Sequence, residues 1–265
     1  MDLTEFPRVI AALHMLPSTV SRHPQAQPLN RLIEHALLHA QIAHDGGVRA
    51  FYLQDVNDTP VAPSILPETI ANVTAVGREL VRTFPNAKFG ICLMQHGAKE
   101  PLEIAHAIGG AFVRLKVYMG TMVKAEGLLH GCAWEAIQTR HALDAQHIAI
   151  FADIYDRVGM PLAPLPLGEA CRQAVAFGKA DALVLTGMNP TQTIEMLDEA
   201  IAVKAGAPLI VGGSVSAATL KDFASRARHF VVHAAFTRKN LPMHQGLAVD
   251  WHVDAVRELM QALPK

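Results

Sequence analysis

The strongest constraint on this chain is an alternation that runs from one end to the other. Short runs rich in Val, Ile, Leu and Phe are each followed by a longer stretch with helical spacing. The strand-like runs are Val9–His14, Ala50–Gln54, Lys88–Leu93, Phe112–Tyr118, Ile148–Asp153, Ala182–Thr186, Leu209–Gly212 and Phe230–His233. The helix-like stretches are Leu29–Asp45, Pro67–Thr83, Pro101–Ile108, Gly131–Ala145, Leu167–Phe177, Pro190–Ala205, Ser216–Ala227 and Trp251–Leu263. Their ends carry the right punctuation: Gly46-Gly47 and Gly109-Gly110 as C-caps, Pro67 at a first helical position, Ser216 as an N-cap. Eight strand–helix units in 265 residues leave about 33 residues each, the size of one βαβ step. This predicts an α/β fold, a (β/α)8 barrel occupying residues 1–265 as a single domain. A doubly wound open sheet is the alternative, and the lack of a G-x-G-x-x-G after the first strand counts against it.

Composition narrows the functional classes. The 23 Lys+Arg and 24 Asp+Glu nearly cancel, and no local basic run exists, so nucleic-acid binding by bulk electrostatics is excluded. With 51% hydrophobic residues the chain is not disordered. No apolar run approaches the roughly 18 residues of a membrane-spanning helix, and the N-terminus lacks a basic stretch leading into an apolar one. Cys92, Cys132 and Cys171 are odd in number and widely spaced, as expected of reduced, buried thiols. The expectation is a cytoplasmic protein that forms a homo-oligomer.

A parallel barrel places its reactive groups at the C-terminal ends of its strands. Those places hold His14; Gln54, Asp55 and Asp58; Gln95 and His96; Lys116 and Tyr118; Asp153, Tyr155 and Asp156; Thr186; Gly212, Gly213 and Ser214; and His233, Thr237, Arg238 and Lys239. On the fourth strand, alternation puts Arg114, Lys116 and Tyr118 on one inward face. An inward cation needs a partner or a bound anion. Asp153 is the obvious partner for Arg114, and a structural bridge between them is the competing reading. Lys116 is expected to act as an anion clamp or as a base with a lowered pKa. The turn Gly212-Gly213-Ser214 opens a helix and offers backbone N–H groups to an anion, with Arg238 as a source of positive charge. His14 and His233 end neighbouring strands. With Asp55 or Asp153 they form a weak donor set for a divalent metal, without H-x-H or H-E-x-x-H spacing. No cofactor is expected. His35, His39 and His44 fall at helical spacing and read as a polar helix face.

Several stretches in order carry a family resemblance: Val9-Ile-Ala-Ala-Leu-His-Met-Leu-Pro, Gly46-Gly-Val-Arg-Ala-Phe-Tyr-Leu-Gln-Asp-Val-Asn-Asp-Thr-Pro, Phe112-Val-Arg-Leu-Lys-Val-Tyr-Met-Gly, Glu126-Gly-Leu-Leu-His-Gly, Phe151-Ala-Asp-Ile, Val184-Leu-Thr-Gly and Val211-Gly-Gly-Ser-Val. Together they resemble the BtpA/SgcQ family from about Arg8 to Asn240. The resemblance implies a barrel of the ribulose-phosphate-binding type. One branch of the family is linked to photosystem I biogenesis and another to sugar metabolism. This chain departs from the family pattern at Gln54-Asp55, at Met94-Gln95-His96, at Lys116, at Arg157-Val158 and at His233-Ala234. The bulky His233 stands where a Gly would admit a phosphate, which puts that part of the site in question.

The functional expectation is a barrel enzyme acting on a sugar, sugar phosphate or nucleoside-like metabolite by isomerase, lyase or hydrolase chemistry. His14, Asp55, Lys116 and Asp153 are the catalytic candidates. Gln54, Asp58, His96, Arg114, Tyr118, Thr186 and His233 are the substrate-binding candidates. Gly212, Gly213, Ser214 and Arg238 are the anion-binding candidates. The alternative is a non-catalytic, peripherally membrane-associated assembly factor of the photosystem I BtpA type.

Overall fold

Strand alternation decides which residues reach the site. The computed structural model describes residues 3–239 and 250–264, so Asn240, where the resemblance ends, lies outside the described residues. Strands β1 (Val9–His14), β2 (Ala50–Gln54), β3 (Lys88–Ile91) and β4 (Phe112–Leu115) run parallel as neighbours. Thr121–Lys124 (β5) and Gly127–His130 (β6) form a hairpin that Met160–Pro161 (β8) joins as a third strand. The barrel resumes with β7 (Ala149–Asp153), β9 (Ala182–Leu185), β10 (Leu209–Val211) and β11 (His229–Val232), and β11 closes it against β1. Helices α1 (Leu29–Asp45), α2 (Pro67–Thr83), α3 (Lys99–Ile108), α4 (Ala133–Ala142), α5 (Leu167–Ala176), α6 (Pro190–Ala202), α7 (Ala217–Ala224) and α8 (Val253–Ala262) alternate with the barrel strands. This is the expected (β/α)8 barrel.

Local chemistry explains the helix ends. Pro67 and Pro190 open α2 and α6, where a missing N–H costs nothing. Ser216 and Thr219 cap α7 reciprocally. Gly109 ends α3 at φ 79, a left-handed angle that glycine adopts without a Cβ penalty.

The period of two divides each strand between two cores. Outward residues such as Val9, Ala11, Leu13, Phe51, Leu53, Val113 and Leu115 pack under the helices. Inward residues Ile10, Ala12, Ala50, Tyr52, Phe112, Ala149, Phe151, Ala182, Val184, Ile210 and Val231 fill the barrel. Gly90 supplies no side chain to that interior, because a Cβ there would lie 2.5 Å from the Phe112 ring. The lower end is plugged by Leu3 and Phe6, from the segment before β1. The Phe6 ring meets Phe112 and Phe151 edge-on at 5.5 and 5.7 Å, while those two rings stack at 4.6 Å. Continuing the same alternation upward delivers His14, Gln54, Arg114, Lys116, Asp153, Thr186, Gly212 and His233 to the upper end.

Several strands stop earlier than the apolar runs suggest. Lys116 and Tyr118, for example, lie past the end of β4. The chain bends at Lys116–Val117 and alternation lapses there. Tyr118 therefore turns outward into the helix-facing core, and its hydroxyl donates to the Gly178 carbonyl. It does not line the pocket at the mouth. The histidines of α1 also differ from expectation. His35 and His39 are buried rather than on a polar face, and Trp251 packs edge-on against the His39 ring at 5.1 Å. His39 Nε2 pairs with Asp250 at 3.0 Å. Among the described residues no helix is long and apolar enough to cross a membrane.

The plug gives a direct test of the inner core. Phe6→Ala removes a buried ring from a site with little room to collapse, and is expected to cost about 3–5 kcal/mol of unfolding free energy. Urea denaturation followed by circular dichroism should show a lower midpoint with an unchanged slope.

Candidate functional site

The inward residues at the C-terminal ends of the strands enclose a cavity of about 320 Å³. His14, Gln54, Arg114, Lys116, Thr186, Gly212, Gly213, Ser214 and His233 line it, together with Tyr52, Met94, Asp156 and Arg157. Nine of the expected site residues therefore meet in one pocket. Asp55, Asp58, Asp153, His96, Tyr118 and Arg238 do not line it.

Arg114 and Asp153 form the floor. The carboxylate accepts from Nε and Nη2 of Arg114, both at 2.8 Å, a bidentate pair with the Asp153 side chain almost wholly buried. Arg114 Nη1 donates to the Tyr52 hydroxyl at 3.1 Å and to the Gly212 carbonyl at 3.4 Å. Gly212 has to be glycine: a Cβ there would lie 2.1 Å from Thr186 Oγ1 and 2.9 Å from Arg114 Nη2. Burial opposes the charge on Arg114, but Asp153 and Tyr52 outweigh it and hold the guanidinium well above its ordinary pKa. Burial also pushes the Asp153 carboxyl up, against the pull of Arg114. The structural bridge is therefore formed, and Asp153 is committed to Arg114 rather than open to the cavity.

Lys116 sits one step higher. Its ammonium donates to the Met94 carbonyl at 2.9 Å and approaches Met94 Sδ at 3.4 Å. Burial lowers its pKa, and neighbouring Lys124 lowers it further. Asp55 lies behind it. Asp55 Oδ1 accepts from Met94 N at 2.6 Å, while Oδ2 is buried without a partner. Burial raises the Asp55 carboxyl. Alternation places Asp55 on the outward face with Phe51 and Leu53, so it holds the loop after β3 rather than facing the cavity. Asp58 is similarly engaged, taking Ser18 N at 2.6 Å and Ser18 Oγ at 2.7 Å and so pinning the loop after β1. His96 Nε2 contacts the His130 carbonyl at 2.7 Å and, with Lys116, lines a separate small recess beside the pocket.

His14 and His233 stack face to face, with centroids 3.7 Å apart and planes 20° from parallel. Two imidazolium rings cannot share that arrangement without strong repulsion. Burial, then the neighbouring His233, lowers His14 to about 3, and burial also lowers His233. His233 Nδ1 contacts the Ala12 carbonyl at 2.9 Å, and His14 is hydrogen-bonded to Gln54. The pair is neutral near pH 7. Among the described residues no group of three or more His, Cys, Asp or Glu converges as a metal site would.

The opposite wall is cationic. Arg157, from the loop after β7, donates to Ser214 Oγ at 3.4 Å and lies beside Gly213. Ser214 takes a left-handed φ of 61. Arg238 is elsewhere, exposed and paired with Glu258 at 2.9 Å. It lies past the end of β11, where a short turn at Ala234–Phe236 carries the chain off the rim. In the sequence Arg157 stands out only as a departure from the family pattern, since a loop residue has no periodicity to place it. The hairpin β5–β6 is fixed to the rim by Lys124, whose Nζ meets Asp156 at 2.5 Å with both side chains buried. Among the described residues neither Lys116 nor Arg157 has a carboxylate partner.

Two outcomes follow. Asp153→Asn leaves the Arg114 charge buried and unbalanced, and should destabilise the fold by about 3–5 kcal/mol in urea denaturation. The His14 environment sets an acid limb. Its pKa falls from 6.5 unfolded to about 3 folded. The unfolded chain takes up a proton that the folded chain refuses, so this contribution is complete above pH 6.5 and is lost as pH falls towards 3. His14→Gln should flatten the decline in urea midpoint across that window.

Comparison with known proteins agrees with this architecture. The structure of KGPDC from Streptococcus mutans superposes with a TM-score of 0.56 at 12% identity, covering 97% of this chain and 96% of that one. N-(5'-phosphoribosyl)anthranilate isomerase from Pyrococcus furiosus superposes at 0.54 with 11% identity, covering 96% of each chain. At these identities the likeness is one of fold. In sequence, an uncharacterized protein of Archaeoglobus fulgidus is 30% identical over 210 residues, covering 79% of this chain and 82% of the relative. The photosystem I biogenesis protein BtpA of Synechocystis is 25% identical over 232 residues, covering 87% and 80%. The model of the BtpA family matches residues 6–262, so the chain belongs to the BtpA family.

Proposed function

We propose that this barrel is an enzyme acting on a small, polar, anionic metabolite of carbohydrate type, a sugar phosphate or nucleoside-like compound, by acid/base chemistry. The observation that carries this reading is the pocket at the mouth, where Arg114, Lys116 and Arg157 converge and only Arg114 has its own carboxylate. A half-buried lysine and an exposed arginine at the rim, neither in an ion pair among the described residues, favour an anionic guest.

The arrangement assigns roles. Arg157 and the Gly212-Gly213-Ser214 turn clamp the anion. Lys116, with its lowered pKa, stabilises charge developing at a carbonyl or exchanges a proton as amine and ammonium. His14, held neutral against His233 and oriented by Gln54, is the second proton-transfer group. Asp55 and Asp153 act through what they hold: Asp55 positions the Met94 loop and Asp153 fixes Arg114. A homo-oligomer located in the cytoplasm remains the setting for this reading.

A second reading comes from the relative named for photosystem I biogenesis: a non-catalytic assembly role at a membrane surface. The observation in its favour is a set of exposed apolar side chains near the rim, Val123 and Leu128 on the hairpin with Met160 and Leu162 beside it. Cell fractionation discriminates, since that reading requires the chain to sediment with membranes.

The pocket reading is tested by a thermal-shift and calorimetric screen of sugars, sugar phosphates, nucleosides and divalent metals. Phosphorylated compounds should stabilise the wild type. Lys116→Met and Arg157→Ala should each weaken their binding at least tenfold, and Arg238→Ala should not. Affinity should also fall as pH rises through the lowered Lys116 pKa, before the ordinary lysine range is reached. Uniform affinity across all four proteins would refute the assignment.

A further inference from the structure

The mouth holds a second cavity that these roles leave unused. It measures about 630 Å³ and lies between the loop after β7 and the start of α6. Asp156, Arg157 and Thr186 line both cavities, so the two share a wall. Their chemistry differs. The first is cationic and hydrogen-bonding, whereas the second is walled by Met160, Met188 and Met196 with the Tyr155 ring.

Three features single out this second cavity. Met160 and Met188 are each 70% exposed and, with Met196, put three thioether side chains on one wall. Methionine conforms readily to a flat ring and makes favourable sulfur–aromatic contacts. Tyr155 is held at a φ of 59, in the left-handed region that an aromatic residue rarely occupies, and its hydroxyl is fixed to the Leu165 carbonyl at 2.9 Å. At the shared wall, Thr186 Oγ1 is buried with no hydrogen-bond partner among the described residues, a costly state for a polar atom. Above it Arg157 reaches one cavity through Ser214 and faces the other directly.

We propose that the two cavities form one bipartite site whose ligand is an anionic sugar bearing a planar apolar ring, of the chemical class of a nucleotide or an aryl sugar phosphate. The anionic part occupies the pocket of Lys116, Arg157 and the Gly212-Gly213-Ser214 turn. The ring lies on the methionine wall, with the Glu195 carboxylate at the cavity rim available to a ring amine. The inference rests on the anion-pocket reading and narrows its substrate class. A plain sugar phosphate would fill only the smaller cavity and leave the methionine wall in water.

Calorimetric titration with three probes tests this: ribose 5-phosphate, adenosine 5'-monophosphate and uridine 5'-monophosphate. At least one nucleotide should bind the wild type tenfold or more tightly than ribose 5-phosphate. Met188→Glu, at an exposed position where folding is safe, should abolish that preference and leave ribose 5-phosphate affinity unchanged. Arg157→Ala should weaken all three. Equal affinities in the wild type, or a preference that survives Met188→Glu, overturn the bipartite site while leaving the anion pocket standing. Failure of all three probes to bind overturns both.

Discussion

The buried pair of Arg114 and Asp153 is the interaction on which the upper half of the barrel depends. A guanidinium inside a barrel is tolerable only if its charge and its donors are met. Asp153 meets the charge through two hydrogen bonds, while Tyr52 and the Gly212 carbonyl take further donors. That requirement reaches across the barrel, since β2, β4, β7 and the turn after β10 each contribute one group. It also dictates glycine at position 212, because any side chain would displace Arg114 or Thr186. The pair thus forms a polar floor above the Phe6, Phe112 and Phe151 plug, and everything above that floor is open to a ligand.

What stands on the floor is unbalanced by design of the strand ends. Arg114 is neutralised, His14 and His233 are held neutral by burial and by their stacking, and Lys116 and Arg157 are left without carboxylates among the described residues. Under the proposed function such a pocket receives an anion and offers it a lysine amine and a neutral imidazole. The nearest acid, Asp156, is taken by Lys124 and so ties the β5–β6 hairpin to the rim rather than cancelling the pocket's charge. The even charge balance of the whole chain conceals this local excess.

Wherever a residue lies inside a strand, its orientation was readable from sequence, because the period of two is enforced by the backbone. Gln54, Arg114, Asp153 and His14 all arrive on the inward face as alternation requires. The rule carries one residue past a strand end, as Lys116, Thr186, Gly212 and His233 show, and lapses beyond that. Tyr118, three residues past β4, turns into the outer core, and Arg238, six past β11, is carried off the rim. Asp55 falls on the outward face with Phe51 and Leu53 and supports the loop behind the pocket. The buried histidines of α1 escape local patterns for another reason: Trp251 and Asp250, which meet His39, come from more than two hundred residues away. Arg157 and Met188 sit on loops, Met160 on the short strand β8 and Met196 within α6, so they are brought together by tertiary placement rather than by one periodicity.

Membership of the BtpA family, shown by the match over residues 6–262, accounts for the barrel and leaves the guest to be identified. If Lys116 holds an anionic, hydroxylated small molecule at the mouth, equilibrium dialysis against a metabolite extract, read by mass spectrometry, reveals it without a prior choice of ligand. The wild type should concentrate one or a few phosphate- or carboxylate-bearing sugars or nucleotides, and Lys116→Met should lose them. Equal retention by the two proteins, or enrichment of neutral apolar compounds alone, would contradict it.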